Sequence, residues 1–453
     1  MEGIDSRKSI LIPQGEQCSI FYSRLPTDSA EEAFLFTLWG VPIDVDIIEY
    51  KFDLNQRLVI GFRHNRDNKR IIRFFIGRFC SSPVRDRTPY SLFQGSFMTL
   101  TYSPPDKQSI LRWLLSDDPL EIAELWRLAD MTRQRYVGEE VHLRGLVEVS
   151  NRCERNCLYC GIRADNRQLQ RYLMLSDEII ACAHKAVEVG FGTLVLQAGE
   201  DSAIEGQWLA DIIRQVKEET DLAITLSLGE RPDADYQLWH AAGADRYLLR
   251  FETGNRELFD RIHPPLPGQS SDRLAILARL REIGFEVGSG VMVGIPGQSY
   301  ESLASDIDRF RSLDLDMIGV GPYIPHPDTP LAKIGNRWDL PPGEQVVNSV
   351  DLGYRVIALA RLVCPQANIP STTALATLDG PVGREHGLRR GANIVMPNLT
   401  PQKYRRMYEI YPAKAASSED AEQSCAAALH QIRALGRTVG TGRGDSPNLH
   451  KSI

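Results

Sequence analysis

No run of about 18 or more apolar residues occurs anywhere in the 453-residue chain, which excludes an ordinary helical membrane span. The opening MEGIDSRKSILIPQG lacks the apolar core of a signal peptide. There is no concentrated basic block, and the formal net charge is −7, so nothing points to nucleic acid as a partner. Together these absences predict a cytoplasmic chain that binds neither membrane nor nucleic acid. Cysteine is scarce, eight in all, and a reducing cytosol argues against a disulfide framework.

The cysteines that are present are unevenly placed. Those at 18, 80, 182, 364 and 425 are scattered, whereas Cys153, Cys157 and Cys160 crowd together, a pattern of metal or redox chemistry. Cys182 and Cys364 read as small apolar packing residues. Thiolates select Fe–S clusters or zinc. Structural zinc wants four closed ligands, often as two separated CxxC pairs or as Cys and His pairs. Here the spacing is CxxxCxxC, no fourth Cys or His lies nearby, and His184 sits inside a helical run. Three thiolates on a 4Fe–4S cluster leave one iron open to a further ligand, as a catalytic cluster requires.

The rest of the composition, 43% apolar and 25% charged, is that of an ordinary globular protein, and the length suits one large domain plus an appendage. Residues 1–105 form an N-terminal extension of unknown fold, without sustained helical periodicity or a chemical motif. In it LVIGF (58–62) and IIRFFIGRF (71–79) flank a polar NRDNK, the pattern of a hairpin. The turn-rich TYSPPDK (101–107) reads as a linker. A small accessory domain, a disordered extension and a misplaced start codon are all compatible with this stretch. Residues 106–140 read as a helical lead-in.

From 141 to 412 short β-type runs alternate with amphipathic segments such as DEIIACAHKAVEVG and LADIIRQVKEE. The runs are LRGLVEV (143–149), GTLVLQ (192–197), LAITLSL (222–228), DRYLLRF (245–251), EVGSGVMV (286–293), LDMIGVG (315–321), ANIPSTT (367–373) and ANIVMP (392–397). Such alternation predicts an α/β protein, a (β/α)8 TIM-type barrel of the usual size of about 250 residues; an open doubly wound sheet is the competing topology. Functional groups of a barrel sit just after its strands. The three cysteines follow the first run, Gly199 and Glu200 the second, and Ser227 ends the third. Arg250 and Glu252 lie on the fourth, Thr372 and Thr373 on the seventh, and Met396 on the eighth. Residues 413–453 form a C-terminal segment.

The motif CERNCLYC (153–160), with Tyr159 before its last cysteine, resembles the signature of the radical S-adenosylmethionine (SAM) superfamily. That resemblance implies a radical SAM barrel. It implies a 4Fe–4S cluster whose open iron is chelated by the amino and carboxylate groups of SAM. Reduction by a ferredoxin- or flavodoxin-type donor would cleave SAM to methionine and a 5′-deoxyadenosyl radical, so that the cofactors carry the hard chemistry. A wider set of blocks, including VSNRCERNCLYCGIRADN (149–166), VLQAGED (195–201), DMIGVGPYIPHPDTPLA (316–332), IPSTTA (369–374) and YRRMYEIYPAK (404–414), is similar to the HydE family of FeFe-hydrogenase maturases, in the biotin synthase-like branch.

The resemblance also implies roles. Gly199 and Glu200 would contact the methionyl amino group, with Ala198 in place of the family's first glycine; an ordinary turn is the plainer reading. Arg250 and Glu252, two apart on a strand end and so on one side, would hold the SAM carboxylate and the ribose or methionyl end, unless they form only a salt bridge. Arg273 would be a second carboxylate contact. Met317 would pack near the adenosyl group, or simply in the core. Tyr159 joins this cofactor side. Ser227, Thr372, Thr373, Met396, Tyr408 and Tyr411 would face the substrate, the two tyrosines lying three apart on a helix. His326 shapes a rigid loop or carries a proton. The implied reaction is radical attack on a cysteine-bound Fe(CO)2CN synthon made by the maturase HydG, the product passing to the scaffold GTPase HydF. A HydE-like or methylornithine synthase-like enzyme with another small substrate, and a non-enzymatic Fe–S carrier, are the alternatives. Some HydE proteins bind a second cluster through C-terminal cysteines; AKAASSEDAEQSCAAAL offers only Cys425, which predicts one cluster per chain.

Overall fold

The computed structural model describes residues 103–334, 338, 340, 341, 343–412 and 421–448, together with five strands that precede them. The chain divides into two units, Met1–Ser103 and Pro104–Ile453. In the first, Ile20–Leu25 pairs antiparallel with Ala33–Leu38, and Ile47–Phe52, Arg57–Arg63 and Ile72–Arg78 form a three-stranded antiparallel sheet. The hairpin expected around NRDNK is the pairing of the last two. In the second unit the helical lead-in is two helices, Lys107–Leu115 and Pro119–Val137. The intervening Ser116-Asp117-Asp118 breaks the run because Asp118 caps the second helix through Leu120 N–H, with Pro119 at the first helical position.

A parallel sheet then curls into a barrel. The first strand, Glu140–Ser150, pairs with the second, Thr193–Ala198; the third, Ala223–Ser227, the fourth, Arg246–Leu248, and the fifth, Glu286–Ser289, follow in order. Met317–Ile318 pairs with the fifth, and Ile394–Val395 with the first. The expected seventh strand is replaced by two single bridges, Met317 with Asn368 and Pro370 with Ile394, which close the ring. Pro370 has no N–H to continue a ladder, and a helix begins at Thr373. The barrel reading therefore holds over the open sheet. The fifth and sixth strands are each in two pieces, resuming at Met292–Val293 and Gly321–Pro322. At the break a Cβ on Gly290 would stand 1.9 Å from Gly319 O, so the two chain segments approach as only glycine allows.

The ends of the barrel differ. At the N-terminal end of the strands Thr438–Val439 adds a further parallel strand to Glu140–Val141. Arg443 O then accepts from Thr193 Oγ1 (2.8 Å) and Arg246 Nη2 (3.0 Å), and Gly444 O accepts from Arg144 Nη2 (3.1 Å) and Asn368 Nδ2 (3.1 Å). The C-terminal segment closes this end, which leaves the end bearing the cysteines for chemistry. No helix among the described residues is long and apolar enough to cross a membrane.

Asp306, on helix Tyr300–Ser312, is buried, and its Oδ1 accepts from Gly254 N–H (2.7 Å). Burial pushes its carboxyl up to about 7, against hydrogen bonds from Gly254 and Thr253. A raised carboxyl means that the folded form favours the proton, so stability falls as pH rises from about 4 through 7. Asp306→Asn keeps the acceptor and removes the charge. It should melt later than the parent protein at pH 8, by an amount on the order of 2 kcal/mol, and the gap should narrow toward pH 5. A gap independent of pH would contradict this.

Candidate active site

The loop after the first strand carries the three cysteines, and a single guanidinium holds its shape. Arg171 Nη1 donates to Asn151 O (2.6 Å) and Ile162 O (2.7 Å), and Nη2 to Arg163 O (2.7 Å) and Asn166 O (3.0 Å). Cys153, Cys157 and Cys160 are free thiols. Burial pushes the Cys157 thiol well up, and the neighbouring Cys160 and Cys153 reinforce it; burial and Cys153 lift Cys160 to about 12. Three sulfurs thus stand close enough to oppose one another's ionisation, an arrangement that a bound cationic centre reverses.

The second strand delivers Gly199 and Glu200 against this loop. A Cβ on Gly199 would lie 2.2 Å from Arg152 O and 2.7 Å from Cys153 Cβ, and Glu154 N–H donates to Glu200 O (2.8 Å). Beneath lies a buried charge network. Arg155 Nε donates to Glu200 Oε2 (2.5 Å) and its Nη2 to Glu230 Oε2 (2.9 Å). Arg273 Nε and Ser271 Oγ donate to Glu230 Oε1 (2.9 and 2.6 Å), and Arg273 Nη1 to Arg250 O (2.7 Å). Despite its burial, bonds from Ser271 and Arg273 and the charge of Arg273 hold Glu230 well below the usual carboxylate range. Burial raises Glu200 in spite of both arginines. His263 is pulled down to about 4, by burial first and then by the charge of Arg273.

Arg250 and Glu252 do form an ion pair (3.0 Å), but not as strand neighbours. The fourth strand ends at Leu248, and Glu252 has φ of 61°, a left-handed conformation that non-glycine residues occupy at functional or strained positions. Glu252 Oε2 is buried and has no hydrogen-bond partner among the described residues. Tyr159 packs on a core cluster formed by Leu258, Ile262, Met292, Ile295, Tyr323 and Leu331.

The structure corrects three placements, two on the expected substrate side and one on the cofactor side. Thr372 caps helix Thr373–Asp379 and its Oγ1 donates to Val320 O (3.1 Å), so neither threonine is a strand residue. Tyr408 and Tyr411 follow helix Gln402–Arg405 rather than riding on it. Their region still covers the cysteine loop: Gly161 N–H donates to Ile410 O (2.9 Å), and Asn151 Nδ2 to Met407 O (2.7 Å). Tyr408 bonds the Gln197 side chain, and Tyr411 lies beside Arg250 and Thr377, burial pushing its phenol up to about 12. Ser227 is in register with Gln197, and Met396 is half-buried just beyond the last strand. Met317 is the third correction. Its Sδ takes Arg144 Nη1 (3.0 Å) in the layer next to the closed end, where it packs in the core. His326 shapes its loop, its Nδ1 accepting from Asp328 N–H (3.2 Å) while the ring abuts Gly161.

Glu230 was legible only as a charged residue at the end of the third run, and Arg155, Arg171 and His263 were not legible as site residues. Arg155 left a local signal, a cation between two of the cysteines; Arg171 meets only backbone carbonyls 5 to 20 residues away, which carry no side-chain signature, and His263 meets its partners far along the chain. The residues present fit a 4Fe–4S cluster and SAM. Three converging thiols lie under a glycine cradle, with an unpartnered buried carboxylate oxygen and a cation beside them.

A sequence profile of the Radical SAM superfamily matches residues 147–334. The chain is 43% identical over 329 residues to the FeFe-hydrogenase maturase subunit HydE of Thermotoga maritima, covering 73% of this chain and 90% of that protein. It is 29% identical to the 3-methylornithine synthase of Methanosarcina acetivorans, over 63% of this chain and 77% of that protein. Among solved structures, methylornithine synthase (PylB) matches with a TM-score of 0.63 at 22% identity, covering 74% of this chain and 94% of the other. The maturase HydG matches with 0.58 at 19%, covering 74% and 72%. At such identities these two structures speak to the fold alone.

Proposed function

The chain belongs to the HydE family of radical SAM enzymes, and from that premise we propose that it acts in FeFe-hydrogenase maturation, on a cysteine-bound Fe(CO)2CN synthon. The observation that carries this reading is the 43% identity maintained over nine-tenths of the Thermotoga protein. HydG would supply the substrate, HydF would receive the product, and a ferredoxin- or flavodoxin-type protein would supply the electron.

Cys153, Cys157 and Cys160 hold the 4Fe–4S cluster, which when bound supplies the electron that cleaves SAM. Gly199 lets the backbone approach the methionyl end, with Glu200 and Tyr159 beside it. Arg250 offers a cation to the SAM carboxylate, and Glu252 Oε2, lacking a partner, offers an acceptor to an amino or hydroxyl group. Arg273 is committed to Glu230, Glu200 and the Arg250 carbonyl, so it orients these acids as much as it meets SAM. Ser227, Met396, Tyr408 and Tyr411 would face the substrate, with Gln197 beside Tyr408 and Thr372 and Thr373 at a nearby helix start. The Tyr408 to Tyr411 segment, bonded to the cysteine loop, excludes water from the radical.

Incubation of the reconstituted chain with the synthon, SAM and reductant should consume SAM beyond the uncoupled background; no stimulation by the synthon would sink the hydrogenase reading. Cys425 is buried in helix Ala421–Ala434, and its stretch offers no second thiol, so we also propose a single cluster. Iron and sulfide should each level at about four atoms per chain, and reproducibly higher values would count against it.

A further inference from the structure

His263 follows helix Arg256–Ile262 and is buried. Its Nδ1 lies 3.0 Å from Cys157 Sγ, a contact between residues 106 positions apart that no motif announces. The placement is held from several sides. His263 N–H donates to Phe259 O (2.8 Å), the ring lies on that of Phe259 (4.9 Å between centroids), and Leu158 N–H donates to Ile262 O (2.8 Å). The helix end is thus bonded to the cysteine loop right beside the imidazole–sulfur contact.

The neighbours of the other nitrogen decide which one carries hydrogen. Nε2 lies 3.1 Å from Arg273 Nη2 and 3.2 Å from Glu230 Oε1. Glu230 already takes bonds from Arg155 Nη2, Ser271 Oγ and Arg273 Nε. Arg273 Nη2 has no nearer acceptor than Nε2, Glu200 Oε1 standing at 3.4 Å. A guanidinium only donates, so a hydrogen on Nε2 would face another donor, whereas a bare Nε2 accepts from Arg273 and leaves the hydrogen on Nδ1, aimed at the sulfur.

We infer that His263, oriented by Arg273, donates its Nδ1–H to the Cys157 sulfur and thereby raises the reduction potential of the cluster. The inference rests on the reading that the three cysteines hold a 4Fe–4S cluster. A hydrogen bond to a ligand sulfur draws off electron density and favours the reduced, more negative form, one of the levers by which proteins set cluster potentials. His263 is therefore a positioning residue for the electron-transfer step, and Arg273 couples the acid pair of the site to it.

Redox titration of the reconstituted full chain tests this, followed by the reduced-cluster EPR signal. His263→Leu removes the donor and should lower the reduced-to-oxidised ratio at a given potential about tenfold, equivalent to about 59 mV for one electron. His263→Asn returns an amide nitrogen near the place of Nδ1 and should titrate close to the parent protein. A His263→Leu protein with a full cluster and the parent midpoint would overturn the inference. In case that variant does not retain the cluster, pulsed EPR of the parent chain labelled with 15N-histidine provides an independent readout. Coupling of the reduced cluster to a histidine nitrogen is expected, and its absence would overturn the inference. A preparation that forms no 4Fe–4S signal at all refutes the underlying reading as well, and is distinguished by its absorbance and iron content.

Discussion

Cys157→Ala should leave a folded chain that neither assembles the cluster nor forms 5′-deoxyadenosine from SAM. The alanine side chain is smaller than the thiol it replaces and the site is buried, with Cys157 about 8% exposed, so the packing loss is that of a small void, about 1 kcal/mol. The chemical loss is total, since three thiolates are the minimum that holds such a cluster with one iron open. Arg171, with its four carbonyl partners, keeps the loop in place without the sulfur. Far-UV circular dichroism near that of the parent, no charge-transfer absorbance after reconstitution and no 5′-deoxyadenosine would match this expectation. Residual SAM cleavage above the cluster-free background would refute the assignment of the ligand.

The second large effect is on stability. Arg273 and Arg155 together face Glu200 and Glu230, and all four side chains are about 10% exposed or less. Removing one partner of a buried network leaves an uncompensated charge and costs about 3–5 kcal/mol. Arg273→Met should therefore lower the denaturation midpoint of the chain substantially. Pairing it with Glu230→Gln, which removes the stranded charge, should recover much of that loss. Anaerobic urea titrations of the two single variants and the double variant give the coupling. If the two losses simply add, the acids and arginines do not act as one unit. Thermodynamically the double variant is the informative one, because a packing defect at Arg273 would persist in it.

Legibility in the sequence followed the range of the interactions. The first three barrel strands appeared where their β-branched runs end in glycine or polar residues, because alternation and turn chemistry act over a few residues. The later strands were legible as runs but not as unbroken strands. EVGSGVMV reads as continuous, yet the approach of Gly290 to Gly319 breaks it, and ANIPSTT yields two bridges and a helix cap. The facing of Arg250 and Glu252 was argued from strand geometry that the chain abandons after Leu248; the two side chains still meet, through a left-handed turn at Glu252. Tyr408 and Tyr411 were placed at the cavity by family likeness, but on a helix that stops at Arg405.

By itself the sequence determined the thiol chemistry, the alternating architecture and the family, since each is written in residues adjacent or regularly spaced along the chain. Only the tertiary structure decided which groups surround the thiols. Arg155, Glu200, Glu230, His263 and Arg273 come from five separate places in the chain, and they meet because successive barrel strands deliver their ends to one side. Nor could local pattern show that the last described residues close the opposite end and fix Met317 in that layer. Those contacts join Thr193 and Arg246 to Arg443, and Arg144 to Met317 and Gly444. Buried polar groups must find partners wherever the fold brings them, and such pairing has no period that a sequence can display.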